Sequence, residues 1–253
     1  MRYELDNGVS LSWDEEWKSI DKILNDTKTM KEMKELDSDA INNKGISSVW
    51  LMTNAAEAVV DVVVERTSLA KMSGGHDRES KRITIICGSG NNGGDGVACA
   101  YMLMDRGYDV RAYLFGRREK MTPDELEMEK RLTERGGNLI DVFKDGNIIT
   151  DVIKNVKRDV QSCVCCIDAL FGVGISREIL EPYSTAIEIM NEAPMIISCD
   201  IPSGVNGDTG EIMGTSVRAD VTVTFSCIKI GLLAETANQS VGELVLVPIG
   251  IPD

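Results

Sequence analysis

A short apolar run with a glycine-rich segment directly after it most constrains what this chain can fold into. Residues Ile83 to Cys87 have the composition of a buried β-strand, and they are followed by Gly88-Ser89-Gly90-Asn91-Asn92-Gly93-Gly94-Asp95-Gly96. Apolar residues then recur at helical spacing over residues 94–106. A strand, a glycine-rich turn and a helix in this order predict one βα unit of a parallel sheet.

Further apolar runs predict that strands alternate with helices along most of the chain. Strands are predicted at 83–87, 109–115, 138–142, 163–167, 195–199, 221–225 and 243–247, and helices at 30–43, 50–70, 94–106, 123–135 and 178–192. This alternation indicates an α/β fold with a mostly parallel sheet that is covered by helices on both faces. We expect one domain over residues 30–253, preceded by a polar N-terminal extension, residues 1–29, with room for one helix.

The glycine-rich segment, residues 88–96, predicts a ligand site. Glycine allows positive φ angles and lets a ligand approach the main chain closely. The first amides of the following helix have no partner within the helix, and together with the helix dipole they favour a phosphate group. The side-chain oxygens of Asn91, Asn92 and Asp95 instead suit a hard cation or sugar hydroxyls. A simple turn, which uses Asn and Gly for their tolerance of left-handed backbone, is the alternative.

Dinucleotide-dependent oxidoreductases share part of this pattern. Gly88, Gly90 and Gly93 have the GxGxxG spacing, which alone is weakly specific. The second predicted strand runs into Gly116 and Arg117, without the acidic residue that binds a ribose 2′-hydroxyl. An oxidoreductase with Arg117 at the 2′-phosphate of NADP stays an alternative. A P-loop is excluded, because no Gly-Lys-Ser/Thr follows the segment.

Two more predicted strands have the same design. Asp168 follows the strand at 163–167 and Asp200 follows the strand at 195–199, and each precedes a glycine-containing loop. In a parallel sheet these loops meet the glycine-rich segment at the carboxyl edge, where open α/β sheets bind ligands. Lys229 follows the strand at 221–225 and joins the same edge. The simpler explanations are a helix cap for Asp168, an Asx turn for Asp200 and an ordinary surface position for Lys229.

Composition narrows the class of function. The formal net charge of −14 opposes binding to nucleic acid or to an anionic membrane. The one histidine, His76, lies in a polar segment and is interpreted as a solvated loop residue. The seven cysteines are mostly in apolar, strand-like runs, which predicts free buried thiols in a reducing cytoplasm. With no membrane-length apolar run and no signal-peptide pattern at the start, we expect a cytoplasmic enzyme that acts on a small molecule.

The strand-end motifs together resemble those of a known family, the NAD(P)H-hydrate epimerases or YjeF N-terminal domain. The resemblance covers residues 30–252 and rests on Gly90-Asn91-Asn92-Gly93-Gly94-Asp95-Gly96, Ile167-Asp168-Ala169-Leu170-Phe171-Gly172, Asp200-Ile201-Pro202-Ser203-Gly204-Val205, Ala219-Asp220 and Thr224-Phe225. It implies a Rossmann-like three-layer α/β/α sandwich and a homodimer. The family interconverts the S and R forms of hydrated NADH and NADPH (NADHX and NADPHX), in which the nicotinamide ring carries a hydroxyl group at C6.

The resemblance also implies roles for individual residues. Substrate contacts are implied for Asn91, Asn92, Gly93, Gly94, Asp95, Gly172, Val173, Gly174, Ile175, Ser176, Arg177, Glu178 and Asp200. One potassium ion (K+) per subunit would be bound by Asn92, Asp168 and Ser203, whose oxygens suit a hard cation. Asp200 is our candidate for the catalytic acid/base, with Lys229 in reserve. A non-catalytic dimerisation or scaffold domain of the same family is the alternative function.

The chain departs from the family pattern at a few positions. Thr53 stands where an acid usually follows Leu-Met, and Ala56 stands where a glycine usually follows Asn-Ala. The usual Pro-Gly before the last strand is replaced by the sequence at 238–242. We expect these changes to affect the pocket wall or the dimer contact. Many bacterial relatives continue into a dehydratase domain, so the chain is either a stand-alone epimerase coupled to such an enzyme or the first half of a bifunctional protein.

Overall fold

A computed structural model describes residues 2–5, 8–13, 19–72 and 81–252. The strands are β1 (Arg2–Glu4), β2 (Ser10–Trp13), β3 (Arg82–Cys87), β4 (Asp109–Leu114), β5 (Leu139–Asp141), β6 (Phe143–Lys144), β7 (Asn147–Ile148), β8 (Cys165–Ala169), β9 (Ile196–Cys199), β10 (Val221–Phe225) and β11 (Glu243–Val247). The α-helices are α1 (Ile20–Asn25), α2 (Met30–Asn42), α3 (Ser48–Met72), α4 (Asn91–Asp105), α5 (Pro123–Glu134), α6 (Thr150–Ser162), α7 (Tyr183–Met190) and α8 (Asn238–Val241). Short 3-10 turns cover Arg118–Lys120, Ile230–Leu233 and Glu235–Ala237.

Within the described residues, nine strands form one sheet in the order β1-β2-β11-β10-β9-β8-β3-β4-β5. Apart from the antiparallel β1–β2 pair, every neighbouring pair in this sheet is parallel. The chain runs outward from β3 to β5, then returns to place β8 on the other side of β3. The loops after β3 and β8 therefore diverge, and they leave a crevice at the point where open α/β sheets bind ligands.

Helices cover both faces of the sheet, which confirms the predicted α/β fold. Successive residues of a strand point to opposite faces. Thus Ile85 packs with α3, α4 and α5 on one face, whereas Ile86 packs with α6 and α7 on the other. Both isoleucines are fully buried. The continuous apolar sequence of the central strands follows from burial on both sides.

The N-terminal segment, predicted as an extension with one helix, also contributes to the sheet. Strand β2 pairs in parallel with β11, which places Leu11 opposite Leu244. Leu11 and Trp13 are buried in a cluster with Leu246. The alternation of small polar and large apolar residues from Ser10 to Trp13 is the period-two signal of a strand with one buried face. Sequence interpretation missed this signal because the run is only four residues long.

Three predicted boundaries were wrong in ways that affect the site. Strand β8 begins at Cys165 and continues to Ala169, so Asp168 lies inside the strand opposite Ile86. Helix α7 begins after Pro182, because proline lacks the N–H that a helix interior needs; the predicted first turns are a loop. Helix α4 begins at Asn91, so the second half of the glycine-rich segment is helical.

The cysteines are buried, as predicted. Cys165 and Cys166 belong to different packing clusters on opposite faces of the sheet. In the part of the chain that the structure describes, no group of three or more His, Cys, Asp or Glu side chains is placed to hold a metal ion. No helix within the described ranges combines the length and apolar character needed to cross a membrane. His76 lies outside these ranges.

Candidate active site

A cleft of about 1100 Å³ opens at the carboxyl ends of β3, β8, β9 and β10, with α2 and α3 along its side. The glycine-rich segment, the loop after β8, and the residues that follow β9 and β10 all contribute to its wall. The predicted site residues that line it are Asn91, Asn92, Gly93, Asp95, Gly172, Val173, Gly174, Ile175, Ser176, Arg177, Glu178, Asp200 and Lys229. The topology therefore brings together side chains that are more than one hundred residues apart in sequence.

The start of α4 forms one wall of the cleft. Gly90 caps the helix with a φ angle of +140°, a conformation that side chains disfavour. The first bond of the helix runs from the Gly94 N–H to the Gly90 carbonyl at 2.9 Å. The amides of Asn91, Asn92 and Gly93 thus precede the regular helical bonds and are available to an anion.

Two glycines of the segment are needed for close packing. A Cβ at Gly93 would lie 2.0 Å from the Gly88 carbonyl oxygen, so the backbone must be bare for the turn to close. A Cβ at Gly94 would meet the Met52 sulfur at 2.7 Å. Gly94 lies under α3 rather than on the cleft wall. The substrate contact that the family resemblance implies for Gly94 stays a prediction.

Asp168 and Ser203 form a buried hydrogen-bonded cluster at the carboxyl ends of β8 and β9. One carboxylate oxygen of Asp168 accepts from the Ser203 hydroxyl at 2.5 Å and from the Leu170 N–H at 3.2 Å. The other accepts from the Ser198 hydroxyl and the Ser203 N–H, both at 2.8 Å. Burial raises the pKa of Asp168, and the bonds from Ser203 and Ser198 oppose that rise. Asp168 thus joins the loops after β8 and β9, which excludes the simpler explanation of Asp168 as a helix cap.

Asn92, in the glycine-rich segment, lies close to this hydrogen-bonded cluster. Both its amide oxygen and its amide nitrogen are buried without a hydrogen-bond partner. Its Cγ atom would lie 3.2 Å from a Cβ at Gly172, and the adjacent Phe171 N–H donates to the Ser203 hydroxyl at 2.9 Å. A buried amide group without hydrogen-bond partners lowers the stability of the fold, so we interpret Asn92 as a ligand-binding position.

Asp200 and Lys229 form an ion pair in the floor of the cleft. Asp200 follows β9 with a φ angle of +66°, in the left-handed region that Asp tolerates better than most residues. The Lys229 amine contacts Oδ1 of Asp200, and it also donates to the Phe225 carbonyl at 3.0 Å and the Thr224 hydroxyl at 3.2 Å. Lys229 is 1% exposed, which excludes the interpretation as a surface lysine.

Two further carboxyl groups face this pair. Asp37 of α2 and Asp95 of α4 both line the cleft. Burial, followed by repulsion from Asp200 and Asp37, raises the pKa of Asp95 well above its usual value, while Lys229 opposes the rise. Burial and Asp200 likewise raise the pKa of Asp37. The cleft thus holds a protonatable carboxyl beside a lysine–aspartate pair.

Comparisons with known proteins place this architecture in a family. A model of the family described as "YjeF-related protein N-terminus" matches residues 48–231. The chain belongs to this YjeF-related family. Within the family, it is 33% identical over 222 residues to a protein of Oenococcus oeni named NAD(P)H-hydrate epimerase, which covers 87% of this chain and 95% of that protein. A protein of Levilactobacillus brevis with the same name is 34% identical, over 88% of this chain and 93% of its own length.

Two other comparisons show a longer relative and the fold. A protein of Thermofilum pendens named bifunctional NAD(P)H-hydrate repair enzyme Nnr is 33% identical over 88% of this chain, which spans 40% of that longer protein. The crystal structure of the yeast protein YNL200c has a TM-score of 0.67 at 24% identity, and covers 81% of this chain and 82% of its own. That likeness shows that the fold is shared.

The positions at which the chain departs from the usual YjeF-related pattern lie away from the cleft. Thr53 donates to the Val49 carbonyl within α3 at 2.7 Å, and Ala56 is buried against Cys99. Their neighbours Met52 and Ala55 line the cleft instead. Thr53 and Ala56 thus do not line the cleft themselves, and their expected effect on the pocket wall or the dimer contact stays a prediction.

Sequence interpretation missed the chemical importance of Asp37 and of Glu125. Asp37 lies four residues from both Met33 and Ile41, and all three line the cleft. The four-residue spacing places the Asp37 carboxyl group on the apolar face of an amphipathic helix, and this pattern could have predicted a functional role for Asp37. Glu125 was hidden, because Thr122-Pro123-Asp124-Glu125 has the sequence of an ordinary capping box.

Proposed function

We propose that this protein is an NAD(P)H-hydrate epimerase, which interconverts the S and R forms of NADHX and NADPHX. The observation that carries the proposal is the meeting of Asp95 with the Asp200–Lys229 pair in one cleft beside the start of α4. The names of the relatives, at 33–34% identity over almost their whole length, support the same activity.

The start of α4 suits the phosphates of the substrate. Backbone amides that precede the first helical bond, together with the helix dipole, form an anion site. The amides of Asn91, Asn92 and Gly93 occupy these positions. The nucleotide would lie along this wall, so that the nicotinamide ring reaches the carboxyl groups deeper in the cleft.

Inversion at C6 of the hydrated ring needs two proton transfers. Either the C6–O bond or the C6–N1 bond must break and form again from the other face. If the C6–O bond breaks, an acid protonates the leaving hydroxyl group, and a base accepts a proton from the water that adds to the other face. If the C6–N1 bond breaks, a base accepts the proton of the C6 hydroxyl group while an acid protonates the departing side of the ring, and both transfers reverse on closure. We assign these tasks to Asp95 and Asp200, because Asp95 holds its proton to unusually high pH and Asp200 is oriented by Lys229.

We further propose a potassium ion beside Asn92. The residues fit such an ion in chemistry, since the buried Asn92 amide oxygen has no partner and the Ser203 hydroxyl keeps one unused lone pair. Both carboxylate oxygens of Asp168 already accept two hydrogen bonds, so Asp168 would act by holding Ser203. When bound, the ion would supply positive charge near the phosphates.

Three further expectations remain proposals. The homodimer and the cytoplasmic location rest on the sequence. Coupling to an NAD(P)H-hydrate dehydratase is supported by the bifunctional name of the Thermofilum pendens relative. The assay for the main proposal is direct: the purified chain is mixed with one isomer of hydrated NADPH, and the S/R ratio is followed by chromatography.

A further inference from the structure

Glu125 is a buried glutamate at the underside of the glycine-rich segment. It lies in the first turn of α5, which packs against α4, and its exposure is 0%. Glutamate is seldom fully buried without a specific partner. No substrate, cation or catalytic role described above uses it.

Two helices begin with the same Thr-x-x-Glu sequence, but only in α5 does the glutamate bind a backbone amide of another helix. At the start of α2, Thr29 and Glu32 form a complete capping box, in which Glu32 accepts the Thr29 N–H at 2.8 Å. At the start of α5, Thr122 accepts from the Glu125 N–H at 3.2 Å. The Glu125 carboxylate stays close enough to the Thr122 N–H for this amide to lower its pKa, but it accepts a hydrogen bond at 2.8 Å from the N–H of Gly90, outside its own helix.

The contacts of this carboxylate shape the segment from below. Gly90 has a φ angle of +140° and is the N-cap of α4, so its amide direction sets the entry of the chain into the helix. The second oxygen, Oε1, is buried without a hydrogen-bond partner and would lie 2.9 Å from a Cβ at Gly93. Glu125 therefore both holds the turn and fills the space beneath it.

The charge of Glu125 is balanced by groups on several elements. Burial raises its pKa to about 7, and the amides of Gly90 and Thr122 oppose the rise. Glu129 on the same helix raises it further, whereas Arg118 of the preceding 3-10 turn lowers it. The negative charge of Glu125 in turn helps to raise the pKa of Asp95 on α4 and of the Cys87 thiol on β3. Near neutral pH the bond to Gly90 would thus change between a charge-assisted and a neutral hydrogen bond.

We infer that Glu125 is a positioning residue, which fixes the glycine-rich segment in the shape that presents Asn91, Asn92 and Asp95 to the ligand. Its effect on the segment is independent of the proposed function. Its effect on catalysis rests on that function. A carboxylate acceptor should hold the segment more firmly than a neutral one.

Amide hydrogen exchange of residues 88–96, measured by mass spectrometry, tests the inference. Glu125→Ala should accelerate exchange there about tenfold, the effect of losing one hydrogen bond to a charged group. Glu125→Gln keeps a neutral acceptor, so it should match wild type at pH 6 and exchange faster than wild type at pH 8. Glu134→Ala, at the exposed far end of α5, is the matched control and should behave as wild type.

The outcomes separate this inference from the proposed function. If the chain is an epimerase, Glu125→Ala should also raise KM for hydrated NADPH about tenfold, with a smaller change in kcat. If it has no such activity, the exchange result still decides the positioning role. Wild-type exchange in Glu125→Ala would overturn the inference. Should Glu125→Ala lose its fold, a pH-independent ratio between Glu125→Gln and wild type would overturn it instead.

Discussion

The amine of Lys229 contacts Oδ1 of Asp200 in the floor of the cleft, and the two residues are only 1% and 8% exposed. They are 29 positions apart in sequence and follow neighbouring strands, β9 and β10. A buried ion pair of this kind is retained at a cost in desolvation. Because the pair lies at the carboxyl edge of the sheet, we infer that it has a role in ligand binding or catalysis rather than in stabilising the fold.

Removing one residue of the Asp200–Lys229 pair should leave the other as an unpaired buried charge and so destabilise the fold. We expect Lys229→Met to lower the free energy of unfolding by about 3 kcal/mol, because Asp200 is left without its counter-charge. Combining it with Asp200→Asn should recover part of the loss. Denaturant unfolding measures both variants, and the exposed Lys154→Met serves as control. Strictly additive losses in the double variant would show that the pair is not coupled.

Asp200→Asn keeps the size of the side chain and can still hydrogen-bond, but it cannot accept or release the proton. We expect kcat to fall about a hundredfold or more, with little change in KM. Steady-state kinetics with hydrated NADPH provide the measurement. Asp151→Asn, on the exposed side of α6, is the matched control. A wild-type kcat for Asp200→Asn beside an inactive Lys229→Met would transfer the role to the lysine.

Asp95 should give the enzyme an alkaline limit. Because its pKa is raised, its protonated form persists to higher pH than that of an ordinary aspartate. If that form is the acid, kcat declines as pH rises through the raised pKa. Asp95→Asn should lower kcat about a hundredfold and remove this decline.

The same shift has a consequence for stability. A carboxyl group whose pKa is higher in the folded state stabilises the fold below its unfolded pKa, and this contribution is lost as pH rises through the folded pKa. The stability of Asp95→Asn relative to wild type should therefore increase with pH, as thermal unfolding can show. A constant difference across the pH range would contradict the shift.

The predicted cation can be tested without activity. Potassium chloride should raise the thermal unfolding temperature more than lithium chloride at the same ionic strength, because the Asn92 oxygen gains a partner. Asn92→Ala should abolish the difference between the salts. Asn91→Ala changes the exposed neighbouring side chain and should retain it. Equal effects of the two salts on wild type would count against the site.

Much of the fold and part of the site could be predicted from the sequence, for a physical reason. Parallel strands buried on both faces give continuous apolar runs, and loops after such strands meet at one edge. The runs before the glycine-rich segment and before Asp200 carried this information. Asp168 was recognised as important although its place inside β8 was not, because strand ends shift easily by two residues.

What the sequence could not show depends on contacts between distant elements. In most helices the glutamate of a capping box binds an amide of its own helix. Only the packing of α5 under Gly90 shows that Glu125 accepts the Gly90 N–H. The burial of Lys229 likewise follows from pairing with Asp200 across two strands. Local patterns predict elements, whereas a buried charge is explained only by the partner that the fold brings to it.

The most direct test of the central claim is the fate of a single isomer. Pure S-form NADPHX, incubated with a catalytic amount of the chain, should convert to the same S/R mixture that pure R-form NADPHX reaches, far faster than in buffer alone. Asp200→Asn at the same concentration should leave the isomers near the buffer rate. If both isomers keep their purity at the buffer rate in the presence of the folded wild-type protein, the account of this cleft as an epimerase site is wrong.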